Sequence, residues 1–250
     1  METRTAMVDR RPVRGWKLWT LPLPAVSFLL AVDLAAIGYA LWLLLDDPAV
    51  GDLRVAILLL LCAIVGSEGA RQVEQRRRRG GALHKDLQSV WILAAVILLT
   101  PAAAVVFALI SRSWWRLRAG RCVPYRWAFS TAVIVLGIGA AHASYHGLAA
   151  ALTDLGWAVS DSTVLAMALA AVAFLGVDAV LCAIAIRLLD PESSLRDAFG
   201  EPADLGVDLI GGGLGCTVAA AGMISPWFLL FVLPVTLTAQ RALLLHQFEL

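Results

Sequence analysis

The sequence predicts an all-α fold, a polytopic bundle of transmembrane helices, and three observations predict it. Hydrophobic residues make up 60% of the 250 and charged residues 16%, with a mean hydropathy of +0.80. Soluble domains run near 45–50% apolar and about 25% charged. The apolar residues gather in seven segments near the length that crosses about 30 Å of hydrocarbon, about 20 residues at 1.5 Å each. The Lys and Arg residues fall between those segments, where they act as topology signals. The expected architecture is six full spans plus a Pro-broken re-entrant helical hairpin, with both termini cytoplasmic.

The first span covers 24–45, preceded by Trp16 and Trp19 as interfacial anchors. It is too long for the apolar core of a signal peptide and has no A-x-A-like exit. Asp33 stands near its middle and costs about 2.5 to 3.5 kcal/mol on insertion. The eleven Leu, Ile, Val and Phe residues of the segment contribute about 0.3 to 0.6 kcal/mol each in return. Insertion therefore wins.

An acidic turn, DDPAVGD, leads to a second span over 53–72, which ends in the run Arg76 to Arg79. The third apolar segment, 87–110, has Thr100-Pro101 at its centre and is followed by SRSWWRLRAGRCVPYR. A single crossing here divides the chain's cations eleven against nine, whereas a segment that turns back at Pro101 leaves 19 of 20 on one side and only Arg54 on the other. The positive-inside rule selects the hairpin, and proline supplies the break. Further spans are expected at 126–148, 161–188, 205–221 and 226–240, the last two joined tightly around GMISP. Asp46, Asp47, Asp52, Asp154 and Asp161 then share the side that holds almost no cations.

The ionisable residues inside apolar segments are the first functional candidates, because their insertion cost confines them to a bundle interior or a cavity. These are Asp33, Asp178, Asp208 and Glu68. Glu68 and Arg71 are three apart on one helix and are expected to pair. Asp33 and Asp178 have no evident partner and are candidates for sensing a proton or cation or for holding a polar ligand, with inter-helix hydrogen bonding as the structural alternative. His142 and His146, in HASYH, share one helical face. They are candidate ligands for a metal or haem, and two interfacial histidines bonded to neighbours or water are the plain alternative.

Other features read as structure. GGGLG at Gly211 to Gly215 lies within an apolar span, with no strand before it and no Lys-Ser or Lys-Thr after it, so it marks close helix packing and not a phosphate loop. Trp114 and Trp115 read as interfacial anchors. The cysteines Cys62, Cys122, Cys182 and Cys216 are scattered, with neither a disulfide framework nor a zinc spacing. No catalytic set, Walker motif or nucleic-acid face is present in the sequence, and no catalytic residue is expected in it.

After Pro234 the pattern VTLTAQRALLLHQFEL turns amphipathic, with Leu243, Leu244, Phe248 and Leu250 as core positions of a connector helix suited to a dimer. The stretch Arg241 to Leu250 resembles the connector that precedes the catalytic GGDEF domain of membrane-bound diguanylate cyclases of actinobacteria. Trp16, Trp19, Pro22 and Pro24, with Pro124, Arg126 and Phe129 opening the fourth span, are similar to the MASE-type membrane sensor regions of those cyclases and of related HD-GYP phosphodiesterases. The resemblance implies a sensor in a bacterial plasma membrane whose state modulates cyclic di-GMP synthesis by an output domain beyond Leu250. No GG[DE]EF, EAL or HD-GYP motif occurs here, so none of those catalytic residues carries over. On this reading 1–23 is a cytoplasmic segment, 24–240 the sensor domain and 241–250 the start of a signalling helix. The expected partners are the lipid bilayer, a second copy through the last span and connector, and a small ligand or ion. A small transporter, with Asp33 and Asp178 lining its path, is the alternative.

Overall fold

The computed structural model describes residues 17–46, 51–79, 88–119, 123–194, 198–199 and 202–246. Among these there is helix and no strand. After a 3-10 turn at Lys17–Thr20 come α1 (Leu23–Asp46), α2 (Leu53–Arg79), α3 (Ser89–Leu98), α4 (Pro101–Ala119), α5 (Pro124–Asp154), α6 (Val159–Leu189), α7 (Pro202–Ile224) and α8 (Phe228–His246). Four stretches are long and apolar enough to cross a membrane: α1, α5, α6 and Gly206–Ile224 within α7. The apolar stretches Ser89–Leu98 and Phe228–Ala239 are shorter.

The break in the third apolar segment follows from local chemistry. Pro101 has no backbone N–H and disfavours helical geometry in the residue before it. Leu99 is accordingly extended, at φ −115° and ψ 165°. Thr100 then caps the new helix, its Oγ1 accepting from the Ala103 N–H at 3.4 Å and its carbonyl from the Ala104 N–H at 2.9 Å.

From that break α4 returns antiparallel to α3. Gln88, just before α3, donates through Nε2 to the Ser111 carbonyl of α4 at 3.3 Å. The tip of the pair reaches the turn before α2, where a Cβ on Gly51 would lie 3.6 Å from Thr100 Cγ2. Gly51, at φ +65°, adopts a left-handed turn that a side chain would strain. A second such residue, Gly156 at φ +82°, ends α5, with Gly156 N–H on the Thr153 carbonyl at 2.9 Å and Trp157 N–H on the Leu152 carbonyl at 3.0 Å.

These contacts define two ends of the bundle. The acidic end carries Asp46, Asp52, Asp154 and Asp161; among the described residues Arg54 is its one cation. The basic end carries the C-terminal part of α4, and Arg118 there bonds Glu68 of α2 at 2.9 Å.

The core is built around α3. Every residue from Val90 to Ile97 is buried. A glycine face on α7 admits it: a Cβ on Gly215 would lie 3.0 Å from the Val90 carbonyl oxygen and 3.1 Å from Leu93, and one on Gly222 would lie 2.5 Å from Leu98. Small residues let helix backbones approach where no hydrophobic driving force exists between lipid-solvated helices. On the opposite side Gly66 of α2 leaves room for Trp91. Around this centre α5 and α6 pack as an antiparallel pair, with Phe174 against Gly137, while α1 runs beside α5 through Phe28–Phe129 and Tyr39–Gly139. An apolar cavity of about 220 Å³ lies between α1, α2 and α4, lined by residues including Leu44, Leu53, Leu60, Val106, Phe107 and Ile110.

The last helix differs in construction. Pro234 stands inside α8, where it removes one backbone hydrogen bond. Two threonines next to it bond nearby carbonyls, Thr236 Oγ1 to Val232 at 2.9 Å and Thr238 Oγ1 to Pro234 at 3.0 Å. The start of α8 is tied to α2 by the Cys62 thiol on the Leu229 carbonyl at 3.8 Å.

Candidate functional site

The polar chemistry of the bundle falls into three groups. The densest is at the basic end, on the two faces of α4. Arg112 and Arg116 are one turn apart and face α5. Arg112 is buried, at 4% exposure, and donates through Nη2 to Ser130 Oγ; its guanidinium also lies 6.0 Å from the Trp115 ring. Arg116 stacks over Trp127 of α5 at 4.6 Å. Trp114 and Arg118 occupy the face toward α2. Arg118 lies 5.3 Å over the Trp114 ring while bonding Glu68. Trp114 and Trp115 thus pack against cations as well as standing where anchors are expected. The tight Arg–Trp interleaving follows from helical spacing, visible in SRSWWRLR, but the α5 partners Trp127 and Ser130 carry no local sequence signal.

Glu68, expected to pair with Arg71, is held by Arg118, which is fifty residues away in the chain. The Arg71 side chain lies outside the described residues. The hairpin is what brings Arg118 there.

The second group joins two of the expected acids. Asp178 and Cys182 are one turn apart on α6, with the thiol 4.0 Å from Asp178 Oδ1. Asp208, from the first half of α7, lies within electrostatic reach of the same thiol. The antiparallel course of α6 and α7, fixed by Gly212 against Leu175 and by the Cys216 thiol on the Met167 carbonyl at 3.5 Å, sets the end of one beside the start of the other. Asp33 stands apart on α1. It is half-buried, and its Oδ1 is buried with no hydrogen-bond partner.

The third group surrounds the histidine pair. The His142 and His146 rings lie 4.2 Å apart, and Tyr145 meets His146 edge-on at 5.0 Å. His142 is placed against the backbone of Val96, in the last turn of α3 beside the break. Its Nδ1 is buried without a hydrogen-bond partner, while His146 is exposed. Among the described residues no set of three His, Cys, Asp or Glu is arranged to hold a metal ion. The pair therefore supplies two ligands at most, and the third that a tetrahedral site needs does not come from those residues. Tyr39, Tyr145 and Gln88 went unmarked in the sequence, since a hydroxyl or amide within an apolar run carries no periodic signal.

No protein-family model, curated protein or solved structure matches this chain.

Proposed function

We propose that the chain is a signal-transducing module of a bacterial plasma membrane. Six helices cross it (α1, α2, α5, α6, α7 and α8), α3 and α4 form a re-entrant hairpin, and both termini are cytoplasmic. The segregation of charge supports this orientation, since the described cations other than Arg54 collect at one end and the cytoplasmic side of membrane proteins is the basic one. At 10 residues α3 extends about 15 Å, half the hydrocarbon thickness, which supports the hairpin reading.

The observation that carries the signalling reading is the build of α8. Its first turn is fastened to α2, and Pro234 stands inside it further along, removing one backbone hydrogen bond. A helix held at one end and hinged in its middle converts a change in bundle packing into a change of direction beyond the hinge. The resemblance of 241–250 to a cyclase connector makes cyclic di-GMP synthesis the proposed output, with a second copy pairing through α8. The transport reading draws on the broken helix, but the side chains of α3 from Val90 to Ile97 are apolar and all buried, which disfavours a polar path along it.

The test is to express the native gene product without imposing a stop after Leu250 and to assay membranes for cyclic di-GMP formed from GTP, beside a version ending at Leu250. Synthesis by the native product alone, altered by Pro234→Ala, is the expected result. Absence of synthesis in both defeats the cyclase output and moves weight to transport, measured in vesicles.

A further inference from the structure

We infer that the cleft between α4 and α5 at the basic end is a binding site for the phosphate of an anionic phospholipid. The inference rests on the bundle being membrane-embedded, and it is independent of what signal or output the module serves.

Among the described residues, the meeting of α4 and α5 at this end gathers cations and an indole donor. The Arg116 guanidinium lies over the Trp127 ring at 4.6 Å, a cation–π contact that does not consume its N–H donors. The indole Nε1 of Trp127 is buried and has no hydrogen-bond partner. Indole N–H groups are donors only, and buried ones ordinarily find an acceptor. Arg126, adjacent in the chain, is exposed. Arg112 closes the floor of the cleft through its bond to Ser130, whose own hydroxyl donates to the Trp127 carbonyl at 3.2 Å.

The only acid in a described ion pair of this region, Glu68, lies on the other face of α4 with Arg118. The N-terminus of α5 stands in the same region, with Val123 at its N-cap, a residue that supplies no side-chain oxygen to the first N–H groups. Cationic stacking, a buried indole donor and a helix of 31 residues presenting its N-terminus together call for a single compact anion with several acceptor oxygens. A phosphodiester meets that description. A lipid is the favoured source over a soluble anion because the cleft lies where the membrane helix α5 and the hairpin helix α4 reach the basic end of the bundle. Basic pockets between membrane helices recognise lipid head groups in this setting.

The experiment uses the full chain reconstituted in phosphatidylglycerol or in phosphatidylcholine, transferred to mild detergent, with retained lipid counted by native mass spectrometry. Phosphatidylglycerol should be retained and phosphatidylcholine not. Arg116→Gln should lower phosphatidylglycerol retention about fivefold, the factor equivalent to about 1 kcal/mol for one cation near an anionic surface. Trp127→Phe, which keeps the ring and removes the N–H, should lower it severalfold with an unchanged elution profile. Arg118→Gln removes an equal charge from the opposite face of α4 and should leave retention unchanged. Equal loss in Arg118→Gln and Arg116→Gln would reduce the effect to general surface charge and overturn the site. Retention unaffected by Trp127→Phe, or displacement of the lipid by millimolar inorganic phosphate, would overturn it as well.

Discussion

Two short apolar helices, α3 and the membrane portion of α8, occupy opposite environments. Ser89–Leu98 and Phe228–Ala239 are the two shorter apolar stretches among the described helices. Yet α3 is buried on every side from Val90 to Ile97, while α8 turns Phe231 and Val235 outward at 74% and 62% exposure. The difference comes from their neighbours. Gly66 on one side and Gly211, Gly215 and Gly222 on the other open a channel of the right width for α3, whereas α8 meets α2 and α7 along one flank only. Burial in a lipid-solvated bundle is decided by the shape of what lies opposite, since an apolar surface gains little by leaving lipid.

That contrast is exposed to measurement through unfolding of the full chain in mixed micelles. Trp91, at 1% exposure, fills the space beside Gly66. Trp91→Ala should cost about 3 to 5 kcal/mol, while Phe231→Ala should stay within about 0.5 kcal/mol of the unmodified chain. Comparable losses at the two positions would erase the distinction, and a concentration-dependent loss at Phe231 would instead mark α8 as a contact between copies.

A smaller effect separates two glycines of one motif. Gly215→Leu drives a side chain into the Val90 carbonyl and Leu93 and should destabilise by about 1 to 3 kcal/mol. Gly213, with nothing within 4 Å of its Cβ position, should accept leucine with little change. If both substitutions are neutral, the glycine face does not set the position of α3.

The smallest effect concerns the ion pair that joins α4 to α2. Both side chains are substantially exposed, at 50% and 32%, and a double-mutant cycle with Arg118→Gln and Glu68→Gln should return a coupling of about 0.2 to 1 kcal/mol. Zero coupling would mean that the return of α4 to the basic end is secured by its other contacts, among them the Gln88–Ser111 and Arg112–Ser130 bonds.

Several of these features were legible in the residues. Composition and segment length identified a helical bundle. Pro101 marked the interruption of the third segment because a proline removes a donor wherever it stands. GGGLG indicated close packing, and Gly211, Gly212 and Gly215 do lie against α3 and α6. The site residues were legible as types and not as pairs. Glu68 reads as a partner for its helical neighbour Arg71, and the structure adds Arg118 from a distant segment. Asp178 and Asp208 read as separate positions, yet both lie within electrostatic reach of the Cys182 thiol. His142 and His146 stack as i, i+4 spacing requires, but nothing local foretold that His142 would meet Val96.

What the sequence determined by itself was the class of protein, the places where its helices begin and break, and the segregation of its charge. These depend on the bilayer and on backbone chemistry, which act residue by residue. The tertiary structure alone decided which helix lies at the centre, which acids meet and which arginine lies on which tryptophan. An apolar helix such as α3 is apolar all round and has no preferred face to read, so its surroundings are fixed only when glycines, rings and carbonyls from distant segments are fitted together.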